Sequence, residues 1–132
     1  MRIVLAVAAG GALGAALRLG MSIWLTPSGP GAFPWATLLC NLTGSMALGV
    51  WLGYGVMRPG LPRLWSEFVG TGIIGSYTTF STFSLELIQL IQRGYLETAA
   101  LYFIISLMAG LALAALGYSG LAMLARGRKA NA

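Results

Sequence analysis

The chain contains no histidine and no aspartate, a single cysteine, and three acidic residues in all: Glu67, Glu86 and Glu97. With Cys40 alone and no histidine, it has no intrachain disulfide, no Cys/His metal site and no Ser–His or Cys–His nucleophile pair. Charge is equally scarce. Only 8% of residues are charged, against roughly 25% in soluble domains. With 58% apolar residues over 132 positions, the composition predicts a small integral membrane protein. No acid–base pair falls within an apolar segment, which argues against an enzyme. The net charge of +5 gathers at the ends, in Arg2, Arg126, Arg128 and Lys129. It suits attraction to anionic headgroups rather than to nucleic acid.

What is abundant is long apolar sequence. Four segments are long enough to span the roughly 30 Å of hydrocarbon that takes ~20 helical residues. The first runs from about Ile3 to Leu25. It opens like a signal peptide, but its apolar character continues past Arg18, so it is read as retained. TPSGPGAFP ends it, because proline and glycine cannot continue a helix at that density. The second runs from about Pro34 to Val56 and is followed by the turn RPGLPR. The third spans about Leu64 to Gln92, where Gly94 suits a left-handed cap. The fourth starts near Glu97 and is expected to end before ARGRK. The expected architecture is all-α, one four-helix transmembrane domain over residues 1–132, with both termini on one side. That side carries Arg2, Arg58, Arg63, Arg126, Arg128 and Lys129, against Arg93 on the other with Arg18 nearby inside a helix, and the positive-inside rule favours both termini in the cytoplasm.

Polar residues inside these segments carry the functional signal. Gly10 and Gly14 form a GxxxG pair for close backbone approach, and Arg18 follows one turn later. Arg18 has three readings: snorkelling to the interface, bonding to helix carbonyls, or attracting an anion. Thr37, Asn41 and Ser45 share one face of the second helix. Asn41, near mid-depth, serves either an interhelical hydrogen bond or a pore. Ser45, Gly49 and Gly53 read as a packing seam. Tyr102, Ser106 and Gly110 repeat the spacing in the fourth helix. Cys40, in an apolar helix, reads as a small packing residue.

The densest cluster is SYTTFSTFSLE, residues 76–86, where seven of eleven residues carry a hydroxyl. Gly70, Gly72 and Gly75 lead into it. Glycines and hydroxyl residues weaken a helix, so a break is expected near Gly75 to Thr79, close to mid-membrane. Irregular backbone survives there only against protein or a wet cavity. It offers carbonyls to a cation and N–H groups to an anion. Beyond it, Phe80 and Phe83 share one face, and Thr79, Thr82 and Glu86 another. Hydroxyls, an amide and ring edges all present positive character to an anion. Without a deep lysine, such a lining suits a small anion that must enter and leave.

GGALGAALR, TLLCNLTGS and above all GSYTTFSTFSLE resemble the motifs of the Fluc (CrcB) family of fluoride channels, and the four-helix plan fits from end to end. The resemblance implies an antiparallel, dual-topology homodimer with two fluoride pores. It implies that Phe80 and Phe83 are the pore phenylalanines and Asn41 the pore asparagine. Tyr102 and Ser106 fall on the fourth-helix polar track, and Thr79, Ser81, Thr82 and Glu86 on pore-mouth and track positions. The carbonyls of Gly75 and Thr78 would hold a structural sodium ion where two broken helices cross. Ser76 stands where the family usually has a second glycine. The implied activity is passive fluoride export across the cell inner membrane, giving fluoride resistance. The competing reading is a small proton-coupled multidrug or cation exporter using Glu86; a third is a structural subunit of a larger membrane complex.

Overall fold

The computed structural model describes residues 1–26 and 29–130, with side chains as far as Met123. The basic tail of Arg126, Arg128 and Lys129 lies outside the described side chains. Helix α1 is Arg2–Trp24 and α2 is Trp35–Met57. A short α3, Arg63–Ser66, runs into a π-helical segment, Glu67–Ile74, and then into α4, Gly75–Tyr77. Helix α5 is Ser81–Gln92 and α6 is Leu96–Ala130. Helix α6 therefore does not stop before ARGRK. Arginine and lysine are good helix formers, and no proline or strained glycine interrupts them.

Among the described residues three helices are each long and apolar enough to cross a membrane: α1, α2 and the Leu96–Met123 part of α6. The fourth crossing is the divided one, from Arg63 to Gln92. It is helical up to Tyr77, extended at Thr78 (φ −79°, ψ 157°) and helical again from Ser81. The break thus falls at the late edge of the expected window. The glycines before it do not stop the helix: Gly70 and Gly72 lie within the π segment and Gly75 opens α4.

Local chemistry accounts for the ends. Pro34 precedes α2 and Pro62 precedes α3, positions where a missing N–H costs nothing. Gly94 adopts φ 84° after α5. That conformation lets the Tyr95 N–H reach Leu90 O at 2.9 Å and closes the helix end. Glu97 lies in the first turn of α6.

Packing pairs the helices in two sets. Helix α1 lies mainly against the π segment and α4, while α2 lies mainly against α6. The first pairing rests on Gly10 and Gly14, where an added Cβ would run into the carbonyls of Phe68 and Ile73. The second rests on Gly49 and Gly117, against the backbone at Ala114 and Met46. Leu38, Phe83, Leu90, Ala99 and Tyr102 form a small buried cluster between α2, α5 and α6. Large apolar side chains such as Leu5, Leu17, Ile104, Met108 and Leu111 point outward. In lipid that exposure carries no penalty, and helix association rests on close packing and hydrogen bonds instead.

Candidate functional site

The break leaves backbone groups without their helical partners, and each can be accounted for. Thr78 N–H still reaches Ile74 O at 3.1 Å. Thr79 N–H donates instead to Asn41 Oδ1 at 2.8 Å, and Asn41 Nδ2 donates to Thr79 O at 2.9 Å. Arg18 Nε donates to Ser76 O at 3.2 Å. Thr82 N–H donates to Thr79 Oγ1 at 3.2 Å, so Thr79 acts as an N-terminal cap for α5. The carbonyls of Gly75, Tyr77 and Thr78 find no donor among the described residues, and the N–H groups of Phe80 and Ser81 find no acceptor. The first half of the crossing therefore ends in free carbonyls, and the second begins with free N–H groups. The two carry partial charges of opposite sign.

Beside the break lies a cavity of about 530 Å³. Its wall is built by Asn41, Gly44, Ser45 and Leu48 of α2, by Gly75 and Thr78–Phe80 at the break, and by Phe83, Phe103, Ser106 and Leu107. Among the described residues no charged side chain lines it. Asn41 is half-buried, and its amide uses one of two Nδ2 hydrogens on Thr79. Phe80 and Phe83 meet with ring centroids 6.0 Å apart but in different settings: Phe80 is 80% exposed and Phe83 9%. Phe83 is wedged against Tyr102 (5.0 Å) and Phe103 (6.4 Å).

A second polar group sits one turn away along α2. Glu86 accepts from the Thr37 hydroxyl at 2.9 Å on one carboxylate oxygen and from the Tyr102 hydroxyl at 2.8 Å on the other. Tyr102 is fully buried. On its other side Glu86 reaches a smaller cavity of about 190 Å³, walled also by Gly29, Gly31, Gln89 and Arg93. The ring of Tyr95 packs over Gly31, whose φ of 79° and lack of a side chain allow that approach.

The sequence-predicted residues are thus distributed over four places. Asn41, Gly75, Thr78, Thr79, Phe80, Phe83 and Ser106 share the larger cavity. Glu86 and Tyr102 form the neighbouring hydrogen-bonded group. Ser81 and Thr82 lie beside Thr79 on the first turn of α5, at 3.3 and 3.1 Å from its hydroxyl. Arg18 lies on the Ser76 carbonyl, just before the break. Two participants were missed. Ser45, read as packing, lines the larger cavity, and its place on the Thr37–Asn41 face was the available signal. Thr37 is a partner of Glu86. Cys40 is buried with 0% exposure, in agreement with its reading as a packing residue.

The sequence has relatives of known name. The family model described as CrcB-like protein, Camphor Resistance (CrcB), matches residues 5–118. A protein of Methylobacterium sp. (strain 4-46) named fluoride-specific ion channel FluC is 47% identical over 115 residues, covering 87% of this chain and 92% of its own. One of Nitrobacter winogradskyi, with the same name, is 48% identical over 105 residues, covering 76% of this chain and 80% of its own. Fluoride-specific ion channel FluC 2 of Symbiobacterium thermophilum is 47% identical over 106 residues, covering 80% and 86%. With matches of this length running through the broken helix and the cavity wall, the chain belongs to the CrcB family, as a multi-pass protein of the cell membrane.

Proposed function

We propose that this chain is a fluoride-selective ion channel through which cytoplasmic fluoride leaves the cell passively. The observation that carries the reading is the cavity at the break: an uncharged chamber bearing amide and hydroxyl groups and aromatic rings, within a membrane-spanning bundle. A small anion needs several donors to replace its hydration shell, and weak enough binding to move on. Asn41, Thr79, Phe80, Phe83 and Ser106 supply donors and ring edges, with Ser81, Thr82, Glu86 and Tyr102 continuing the polar path. The free N–H groups of Phe80 and Ser81 add the positive end of α5. The names of the relatives point the same way.

Beyond the anion path, the reading includes an antiparallel homodimer with two pores and a central sodium ion. The larger cavity is not closed by this chain alone, and a second copy would complete a pore. The free carbonyls of Gly75 and Thr78 fit a hard monovalent cation, which prefers neutral oxygen ligands. Such an ion would offset the negative ends of two first-half helices brought together.

The test is reconstitution of the chain into liposomes loaded with fluoride, with release followed by a fluoride electrode and chloride release measured in parallel. Fast fluoride release without chloride release is expected. A folded dimer that releases no fluoride overturns the reading. Replacing external and internal sodium with a large organic cation is expected to weaken the dimer on size-exclusion chromatography.

A further inference from the structure

Hydroxyls in an apolar helix ordinarily bond back to the carbonyl three or four residues earlier. Ser22, Thr26, Thr43, Thr78 and Ser84 all do so. Ser45 and Ser106 do not, and neither has a protein partner among the described residues. The Ser106 oxygen is buried with no hydrogen-bond partner among the described residues. These are the two serines of the larger cavity. An unmet hydroxyl at membrane depth is unfavourable unless something in the cavity meets it.

Their placement defines a locus. Ser45 lies one turn beyond Asn41 on α2, and Ser106 one turn beyond Tyr102 on α6. The next position on the α6 face is Gly110, whose missing side chain leaves room beside Ser45; a Cβ there would lie 3.7 Å from the Ser45 oxygen. Farther along, α2 and α6 close together, since a Cβ on Gly117 would fall 2.6 Å from Met46 O. The polar wall therefore ends at Ser45. The Asn41 carbonyl oxygen is already taken by Thr79 N–H, so what the amide still offers is an N–H donor. The donor set at this end is one spare amide hydrogen and two free hydroxyls, with no charge. That chemistry suits a small, strongly hydrogen-bonding monovalent anion more than a cation.

We infer that Ser45 is an anion-contacting residue, forming with Ser106 and Asn41 a fluoride station on the α2–α6 wall of the cavity. The inference rests on the channel reading above. Fluoride flux is compared in liposomes for the full-length chain, Ser45→Ala and Ser45→Thr, each first checked for folding by size-exclusion chromatography. Loss of one hydrogen bond to a charged ligand predicts about a tenfold or greater fall for Ser45→Ala. Ser45→Thr, which keeps the hydroxyl, stays within about threefold of the parent, less than one such bond is worth. Parent flux in Ser45→Ala overturns the inference while leaving the channel reading intact. Absence of flux from the parent chain overturns both. Should Ser45→Ala fail to fold, Ser45→Cys replaces it, since the thiol is a weaker donor in the same shape; parent flux in that variant likewise overturns the inference.

Discussion

Asn41 and Thr79 are joined by a reciprocal pair of hydrogen bonds, the side-chain amide donating to the Thr79 carbonyl at 2.9 Å and accepting from its N–H at 2.8 Å. One side chain thus takes the place of two missing helical bonds at the point where the backbone is most irregular. The amide is the group for this task because it presents a donor and an acceptor side by side. Asn41 is consequently both a wall of the cavity and the clamp that shapes it.

Asn41→Ala is expected to abolish fluoride flux and to lower the melting temperature of the protein in detergent. Each backbone group left unmet in a buried setting costs ~1–3 kcal/mol. Asn41→Asp keeps the acceptor for Thr79 N–H but sets a carboxylate oxygen against the Thr79 carbonyl, and should lose flux as well. Parent stability and flux in Asn41→Ala would show that the break holds itself.

Phe80 and Phe83 should separate flux from stability. Phe80→Ile and Phe83→Ile are both expected to cut fluoride release. Phe83 is packed in the buried cluster, so Phe83→Ala should also destabilise the fold by ~3–5 kcal/mol. Phe80 is 80% exposed in the chain, so Phe80→Ala should lower flux while the protein still folds. Full flux in both isoleucine variants would remove the rings from the mechanism.

Glu86→Gln discriminates between channel and exporter. A proton-coupled exporter would trade protons at this carboxylate, and the variant would lose pH-dependent cation efflux. In the channel, the side-chain amide of the variant would still offer an oxygen to one of the two hydroxyls that Thr37 and Tyr102 now donate. Fluoride release within about tenfold of the parent is expected, the change that loss of one hydrogen bond allows. Cation efflux that depends on both pH and Glu86 would favour the exporter.

Two glycines of the same helix should behave oppositely. A Cβ at Gly14 would strike the Ile73 backbone, and backbone cannot swing aside, so Gly14→Ala should lose folded protein. Gly20 has nothing within 4 Å, and Gly20→Ala should be neutral or stabilise by roughly 0.5–1 kcal/mol through helix propensity. Yield of monodisperse protein after size-exclusion chromatography decides both.

Much of this architecture was legible in the residues. The helix ends from α1 to the start of α6 followed from proline, from Gly94 and from Glu97, because those residues act on their own neighbours, whereas the stop expected before ARGRK did not hold. The break was legible in SYTTFSTFSLE for the same reason. What stayed hidden depends on partners or on phase. Asn41 reads equally as a pore donor or as interhelical glue until Thr79 is seen beside it. Ser45 sits in a four-residue series of small residues that looks like packing, and only the cavity separates it from Gly49 and Gly53. The π segment is set by hydrogen-bond register over Glu67–Ile74, which composition alone does not encode. Arg18 had three readings, and its bond to the Ser76 carbonyl places it on the helix backbone.

The pairing of α1 with the first half of the broken crossing, and of α2 with α6, divides the molecule into two slabs. The chain passes between them three times: at residues 25–34, at 58–62 and at 78–80. The first two passages join helix ends. The third is the break itself, in the wall of the larger cavity, and Asn41 reaches from one slab to fasten it. A shift of one slab past the other would therefore alter the backbone at Thr78–Phe80 as well. The shape of the larger cavity is in this way tied to the joint that Asn41 and Thr79 form between the two slabs.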